Sequence, residues 1–313
     1  MHKFSPLVGI ILLNWNNYED TKECILSLKN MTYNSYKIIL VDNYSTDGSY
    51  EKLQNDFLDD SAVLLMRTNR NLGFAGGNNV GIKKALEMGC EYVFILNNDT
   101  IVDKNILNKL LEVFKKKKKV GVAAPLMYCE DKKRVWYGGG EIDLKTMIPN
   151  QWQYIPQGIT KVSFVSGCAM LIPSAVFRKV GLFDERFFLS AEDADLCIRM
   201  LKAGYNMYVN PEAILLHKVG SSTGGTYSAK RIYFATKGLL LLRKKYLPLS
   251  KRLVTSYVLI KVLFKRIKPY LKNKNYNALI AMLKAIYNGP QNLDNRLSSP
   301  YNKVGGQDEK YKK

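Results

Sequence analysis

The sequence predicts an α/β fold in which a mostly parallel sheet carries helices on both faces and a basic helical segment follows it. Three features carry this expectation. Short apolar runs alternate with helix-like stretches four times within residues 1–115; each run ends in a cluster of Asn, Asp or Gly; and the excess positive charge is confined to the last quarter of the chain.

Residues 7–13 form a β-branched and leucine run that stops at Asn14-Trp15-Asn16-Asn17, and residues 18–30 then place Cys24, Ile25 and Leu28 at helical spacing. Residues 38–41 repeat the pattern, ending in Asp42-Asn43-Tyr44-Ser45-Thr46-Asp47-Gly48 before a helix over 49–57. Residues 62–66 and 92–96 read as two further buried strands, with a helix over 78–88 ended by Gly89. In sheets of this kind ligands bind in the crevice at the carboxyl ends of the strands. The clusters at 14–17, 42–47 and 97–99, and the glycine-rich stretch after the third strand, are therefore expected in one crevice. A helix over 106–114 leads into Lys115–Lys119, read as a solvated helix end. From Val120 the chain turns β-rich, with Gly138-Gly139-Gly140 in a turn, and it becomes helical again over 191–202. A catalytic unit is expected over 1–227, in a first half to about residue 115 and a second from 116, followed by a basic helical tail over 228–313.

At 313 residues and 47% hydrophobic content the chain can bury a large core, which excludes a disordered protein. Residues 1–227 hold 27 Lys and Arg against 24 Asp and Glu, whereas 228–313 hold 20 against 3. In the tail, apolar residues such as Leu253, Val254, Tyr257 and Val258 interleave with Lys251, Arg252, Lys261, Lys265, Arg266 and Lys268. That pattern reads as helices lying on an anionic membrane surface, with a solvated bundle as the alternative. A nucleic-acid-binding protein is disfavoured, because the strand-end clusters are rich in Asn, Gly and Asp rather than in basic residues. The five cysteines, Cys24, Cys90, Cys129, Cys168 and Cys197, form no Cys-x-x-Cys pair and read as reduced, buried thiols. The first apolar run lacks the length and cleavage site of a signal peptide, and no run reaches the roughly 18 apolar residues that span a bilayer. The expected location is cytoplasmic, peripheral on the inner face of the plasma membrane.

Several residues can carry chemistry. Asp42, directly after a strand, can accept a base or ribose donor, although Asp in this setting is also a common turn former. The run 71–81 permits close backbone approach to a phosphate near a helix N-terminus, yet it fits neither the dinucleotide fingerprint nor the P-loop, since Ile82 stands where a P-loop needs Lys. Asp99, ending Asn97-Asn98-Asp99, can hold one Mg²⁺ or Mn²⁺ bridged by a substrate's phosphates, or cap a helix. Glu192-Asp193-Ala194-Asp195 is an acidic patch beside aromatics that suggests a pocket, while first-turn helix acids would look the same. His217, one of two histidines, stands either as a ligand or as a satisfied core residue. Trp136, Tyr137 and Trp152 can stack on a sugar or serve in packing.

Together these residues resemble the bacterial members of glycosyltransferase family 2, especially the rhamnosyltransferase and galactofuranosyltransferase group, over roughly residues 7–245. The motifs are Val41-Asp42-Asn43-x-Ser45-x-Asp47-Gly48-Ser49, Asn71-x-Gly73-Phe74-Ala75-Gly76-Gly77-Asn78-Asn79, Leu96-Asn97-Asn98-Asp99, Gly181-x-Phe183-Asp184-Glu185-x-Phe187-Phe188, Glu192-Asp193-x-Asp195-Leu196 and His217. The resemblance implies a GT-A-type, Rossmann-like fold and an inverting transfer from a nucleoside-diphospho-sugar, dTDP-rhamnose or a UDP-hexose, to a glycan or lipid-linked acceptor. It implies that Asp42 binds the base and that Asn14, Asn71, Gly73, Asn79 and Asn98 line the donor cleft. Asp99, with His217, would hold Mg²⁺ or Mn²⁺, Asp193 would be the catalytic base, and Trp136, Glu192 and Asp195 would face the acceptor. Two departures stand out. A single carboxylate, Asp99, stands where many relatives have two or three aspartates, and Tyr233-Phe234-Ala235-Thr236-Lys237-Gly238 replaces the relatives' Arg-Asn pair after two aromatics.

Overall fold

The computed structural model describes residues 5–218 and 228–289. Strands β1 (Val8–Asn14), β2 (Tyr36–Asp42), β3 (Val63–Arg67) and β4 (Tyr92–Asn97) alternate with helices α1 (Tyr18–Lys29), α2 (Ser49–Phe57) and α3 (Gly73–Glu87). The strands pair in parallel in the order β3-β2-β1-β4. Helices cover this sheet, which is why β1 and β2 are almost continuously apolar: Ile10, Ile11, Leu12, Ile38, Ile39 and Leu40 are all fully buried. The order reverses at β1, where Asn14 stands opposite Asp42 and Leu13 opposite Asn97, so three polar strand ends meet at one edge.

The second half extends the same sheet. A short strand β5 (Thr100–Val102) and helix α4 (Ile106–Lys116) lead to β6 (Val120–Cys129), β7 (Val135–Tyr137), a hairpin of β8 (Gly140–Asp143) and β9 (Ile148–Gln151), β10 (Thr160–Val162) and β11 (Ala169–Pro173). Helices α5 (Ser174–Val180) and α6 (Glu192–Lys202) precede β12 (Asn206–His217). β11 runs antiparallel to β4 and β6, and β12 lies parallel to β6 with a register shift between Asn210 and Ile214. The end of β12 pairs with β5, His217 opposite Thr100, and this brings His217 to the carboxyl edge of β4.

Two local expectations are corrected. The glycine-rich stretch is not a loop before a helix at Asn78 but the first turns of α3. Gly77 and Gly81 are there because a Cβ would run into Leu13 at the first and lie 2.5 Å from Ile11 at the second. The helix thus lies directly on β1, and packing overrides the poor helix propensity of glycine. Gly140, placed in a turn by the sequence, begins β8, while Gly139 has the positive φ of 133°.

The C-terminal segment forms α7 (Ala229–Tyr246), α8 (Leu249–Val254), α9 (Ser256–Lys272) and α10 (Tyr276–Asn288); the expected boundary near residue 227 and the chain after 289 lie outside the described residues. α7 is held on both sides. Its Ile232, Tyr233 and Phe234 join Phe188, Leu263, Ile267, Tyr270 and Met282 in a second apolar cluster, while Leu242 belongs to the main core. Arg243, buried, donates to the Thr146 carbonyl at 2.7 Å. Lys245 reaches Asp184 at 2.7 Å and Asp195 at 2.6 Å. The opposite faces of α8 to α10 leave Leu253, Ile260, Phe264 and Leu283 exposed. No helix among the described residues is long and apolar enough to cross a membrane. All five cysteines are free, and all but Cys129 are buried.

Candidate active site

A cleft of about 670 Å³ opens at the carboxyl edge of the sheet. Its floor comes from the loops after β4 and before β11, one side from α6, and another from α7 and α9. Asn71, Gly73, Asn98, Asp99, Trp136, Glu192, Asp193 and His217 all line it, so most of the predicted site residues converge.

Asp99 and His217 form its most compact polar pair. The β5–β12 pairing, continued by the Lys218 N–H donating to the Asp99 carbonyl at 2.9 Å, brings His217 Nε2 to 3.3 Å from Asp99 Oδ1. Both are about 5% exposed. The other ring nitrogen, Nδ1, is buried without a hydrogen-bond partner among the described residues. Trp136 packs edge-on against the imidazole, with ring centres 4.3 Å apart, and thereby fixes the ring plane. No group of three His, Cys, Asp or Glu side chains among the described residues is placed to hold an ion.

Asp193 and Glu192 start α6, and the two residues before them, Ser190 and Ala191, both adopt left-handed φ of 79° and 73°. Two consecutive non-glycine residues in this region cost of order 1–3 kcal/mol each and persist only where the surroundings enforce them. Here the strained turn aims the first carboxylates of the helix into the cleft. Asp193 Oδ2 accepts the Gly167 N–H at 3.0 Å and Oδ1 the Ala194 N–H at 2.7 Å. Burial pushes its carboxyl above the ordinary value against these bonds. Burial, and then the charge of Asp193, pushes Glu192 well above its own ordinary value, and Glu192 Oε2 has no hydrogen-bond partner among the described residues. Both carboxyls are thus held above their ordinary values, Glu192 the more strongly because the charge of Asp193 adds to its burial.

Four predicted residues do not reach the cleft. Asp42 and Asn14 are fully buried beneath it: Asn14 Nδ2 donates to Asp42 Oδ2 at 2.8 Å, and Asp42 Oδ1 accepts the Ser45 N–H at 2.9 Å. As placed, Asp42 braces the loop after β2 rather than presenting its carboxylate to a base. Asn79 pegs a distant loop, exchanging hydrogen bonds with the Phe183 backbone at 2.9 and 3.0 Å. Asp195 is fully buried and held by Arg199 at 2.9 Å, Lys245 at 2.6 Å and Tyr246 at 2.7 Å, which makes it a clamp between α6 and α7 rather than an acceptor contact. Two aromatics considered for stacking are also in packing roles. Tyr137 is fully buried with its hydroxyl on the Phe164 carbonyl at 2.8 Å, and Trp152 stacks on Tyr154.

The sequence reading missed several participants. Thr21 links Asn14 and Asn98, accepting from Asn98 Nδ2 at 2.7 Å. Gly167 supplies the N–H that orients Asp193. Arg67, at the end of β3, lies 3.6 Å from Asp42 and stacks over Tyr50, beside a shallower hollow lined by Tyr44, Ser45 and Thr68. Its position at the same strand edge as Asp42 was the available signal. Lys230, Arg231 and Arg266 enter the cleft from the segment read as a tail.

Comparison with known proteins bears on the family and the fold. The chain is 25% identical over 222 residues to a protein named dTDP-rhamnosyl transferase RfbF of Shigella flexneri, covering 68% of this chain and 72% of that one. It is 28% identical over 244 residues to an N-acetylglucosaminyl-diphospho-decaprenol L-rhamnosyltransferase of Mycobacterium tuberculosis, covering 70% and 78%. Among solved structures it superposes on a mannosyltransferase of Pyrobaculum calidifontis in complex with GDP-Man and Mn²⁺ with a TM-score of 0.57, at 15% identity, covering 91% of this chain and 74% of that one. It superposes on GalNAc-T7 with UDP, GalNAc and Mn²⁺ with a TM-score of 0.60, at 17% identity, over 75% of this chain but 48% of the other. These likenesses identify the architecture as the GT-A fold. The model of glycosyl transferase family 2 matches residues 9–185, more than half of the chain, and the protein belongs to that family.

Proposed function

We propose that the protein transfers a sugar, with inversion, from a nucleoside-diphospho-sugar to a glycan or lipid-linked acceptor in the synthesis of a cell-surface polysaccharide. The observation that carries this is the presence, in one cleft, of a backbone-anchored carboxylate whose affinity for a proton is raised by burial, Asp193, and of the Asp99–His217 pair. The names of the relatives favour dTDP-rhamnose as the donor, with a UDP-hexose as the alternative.

In an inverting transfer the acceptor hydroxyl attacks the anomeric carbon from the face opposite the diphosphate. The new C–O bond forms as the bond to the diphosphate oxygen breaks, and the hydroxyl proton passes to a base. Asp193 takes that proton: its two backbone hydrogen bonds fix both oxygens, and its raised pKa makes it a stronger base than an ordinary carboxylate. Glu192, whose carboxyl burial holds well above its ordinary value, lines the cleft beside it. Asn71, Gly73 and Asn98 line the donor side of the same cleft.

Asp99 and His217 fit a divalent cation, Mg²⁺ or Mn²⁺. They supply a hard carboxylate oxygen and an imidazole whose Nε2 stands 3.3 Å from that oxygen, a separation at which both can face one ion. Asp99 and His217 would be its protein ligands, the few that a phosphate-bound Mg²⁺ commonly needs. Such an ion supplies positive charge to the leaving diphosphate. The exposed apolar residues of α8 to α10, set among lysines, support peripheral attachment to the cytoplasmic face of the plasma membrane.

The test is to incubate the purified protein with dTDP-rhamnose or UDP-hexoses and a prenyl-diphospho-sugar acceptor, with Mn²⁺ or with EDTA, and to read the anomeric configuration of the product by NMR. Transfer with inverted configuration is expected. Retained configuration would refute the single displacement, and absence of transfer from every nucleoside-diphospho-sugar would refute the reading as a whole.

A further inference from the structure

The wall that α7 and α9 give to the cleft is cationic and has no anion of its own among the described residues. Lys230 and Arg231 stand in the first turn of α7 and Arg266 on α9, and all three line the cleft. None of them makes an ion pair with a carboxylate among the described residues, whereas Lys218 and Lys245, nearby in the fold, each hold two. The contacts they do make orient them without neutralising them. Lys230 Nζ sits 3.9 Å from the centre of the Trp15 ring, and Arg266 Nη1 donates to the Ala235 carbonyl at 3.2 Å.

This arrangement works against the protein's own stability in three ways. Burial pulls the Lys230 ammonium down to about 8. Burial, and more weakly the charge of Arg231, pulls the Arg266 guanidinium below its ordinary value, so α7 and α9 bring like charges together. Lys230 and Arg231 also occupy the N-terminal turn of an 18-residue helix, where the macrodipole already presents positive charge and disfavours cations. Partly buried cations without a carboxylate partner are costly, and a wall that brings two at the N-terminus of α7 together with a third on α9 is electrostatically complete only when an anion arrives with a ligand. Apolar lining continues beside them in Phe188, Leu189, Ile232, Leu239 and Tyr270.

We propose that Lys230, Arg231 and Arg266 form a phosphate-binding wall, separate from Asp99 and His217, that seats a phosphate or diphosphate group of a substrate. The inference rests on the transferase reading. Two substrates of such an enzyme can bring this chemistry: the nucleoside diphosphate of the donor, and the diphosphate of a lipid-linked acceptor. The apolar lining beside the cations suits a ligand with an isoprenoid chain next to its phosphate.

The test uses the full chain and calorimetry at fixed excess Mn²⁺, with dTDP, UDP and farnesyl diphosphate as probes. Lys230→Gln, Arg231→Gln and Arg266→Gln should each weaken at least one probe by ~10-fold or more, as expected for loss of a charge-assisted hydrogen bond to phosphate. Lys230→Arg should retain the affinity. Weakened farnesyl diphosphate with unchanged nucleotides assigns the wall to the acceptor, and the reverse assigns it to the donor. If all probes bind every Gln variant within ~2-fold of the unaltered protein, the wall is refuted. Should Arg266→Gln fail to fold, Lys230→Gln and Arg231→Gln decide, with thermal melts as the control. Failure of the unaltered protein to bind any of the three probes would instead overturn the transferase reading, and the wall with it.

Discussion

Replacing Asp193 by Asn should remove the base while keeping the shape of the side chain, and the structure sets two separate magnitudes for it. The catalytic one is the loss of general-base assistance, ~10²–10⁴-fold in turnover, which corresponds to ~2.7–5.5 kcal/mol. The structural one follows from the two anchors. Gly167 N–H binds one carboxylate oxygen and Ala194 N–H the other. An amide offers one acceptor oxygen, so its NH₂ must face one of these N–H groups, and an orphaned buried donor costs ~1–3 kcal/mol. At ~2–4 °C per kcal/mol for a chain of this size, melting should fall by roughly 2–12 °C. Transfer of radiolabelled sugar, measured well below that midpoint beside donor binding by calorimetry, separates the two: binding nearly unchanged, turnover down by at least ~10². The pH profile reads the same carboxyl. Because burial raises the folded pKa of Asp193, the active, ionised base is lost as pH falls through a value above the ordinary carboxylate range, near 4. The acid limb of kcat/KM should therefore lie above pH ~4 and disappear in the variant. Turnover within ~3-fold of the unaltered enzyme would move the base elsewhere. Asp195, the next carboxylate along the helix, is excluded by its burial under Arg199 and Lys245, which leaves Glu192.

The other predictions follow from the same geometry. Asp99→Ala and His217→Ala should each weaken donor binding in the presence of Mn²⁺, and EDTA should produce the same loss in the unaltered protein; equal donor affinity with and without the cation, by calorimetry, would remove the ion from the site. Gly73→Ala should destabilise the fold by ~2–4 kcal/mol, read as a lowered melting temperature, since the position has φ of 72° and a Cβ there would run into the Phe188 carbonyl. Ile260→Asp with Phe264→Asp should reduce co-sedimentation with phosphatidylglycerol vesicles, and about 0.5 M salt should weaken binding of the unaltered protein without abolishing it, because buried apolar area is insensitive to screening; equal sedimentation of the variant would leave α8 to α10 as a solvated bundle.

The parallel half of the sheet was legible because strands covered on both faces must be continuously apolar, and their polar ends then mark the crevice: the stops at Asn14, Asp42 and Asn97 fall at one edge in register. The start of α3 was not legible, because the glycine-rich stretch before Asn78 read as a loop for close backbone approach until the contacts of Gly77 with Leu13 and of Gly81 with Ile11 show that glycine thins the helix for packing on β1. The roles within the acidic patch were hidden for another reason. Glu192, Asp193 and Asp195 look alike in sequence, and their fates diverge through partners far along the chain, Gly167 for Asp193 and Lys245 for Asp195. Asp42 illustrates the reverse case. Its strand-end placement was read correctly, but its partners Asn14, Ser45 and Arg67 turn the carboxylate inward.

The charge of the last quarter of the chain has two destinations that composition merges. Lys230, Arg231, Arg243, Lys245 and Arg266 face the catalytic half, the buried Arg243 as a clamp on Thr146 and the half-buried Lys245 as one on Asp195, while Lys251, Lys261, Lys265 and Lys268 stand among the exposed apolar residues of α8 and α9. Cutting the chain before α7 would therefore do more than remove a surface. It would strip Lys245 and Tyr246 from the fully buried Asp195, leave Asp184 without Lys245, uncover Phe188, and take away one wall of the cleft. Breaking a buried ion pair from one side costs ~3–5 kcal/mol, a large part of the margin of most domains. A truncated protein that fails to bind vesicles would thus report unfolding as readily as a lost membrane contact. Substitutions confined to the outward faces of α8 to α10 leave these clamps intact, and so they isolate the surface contribution.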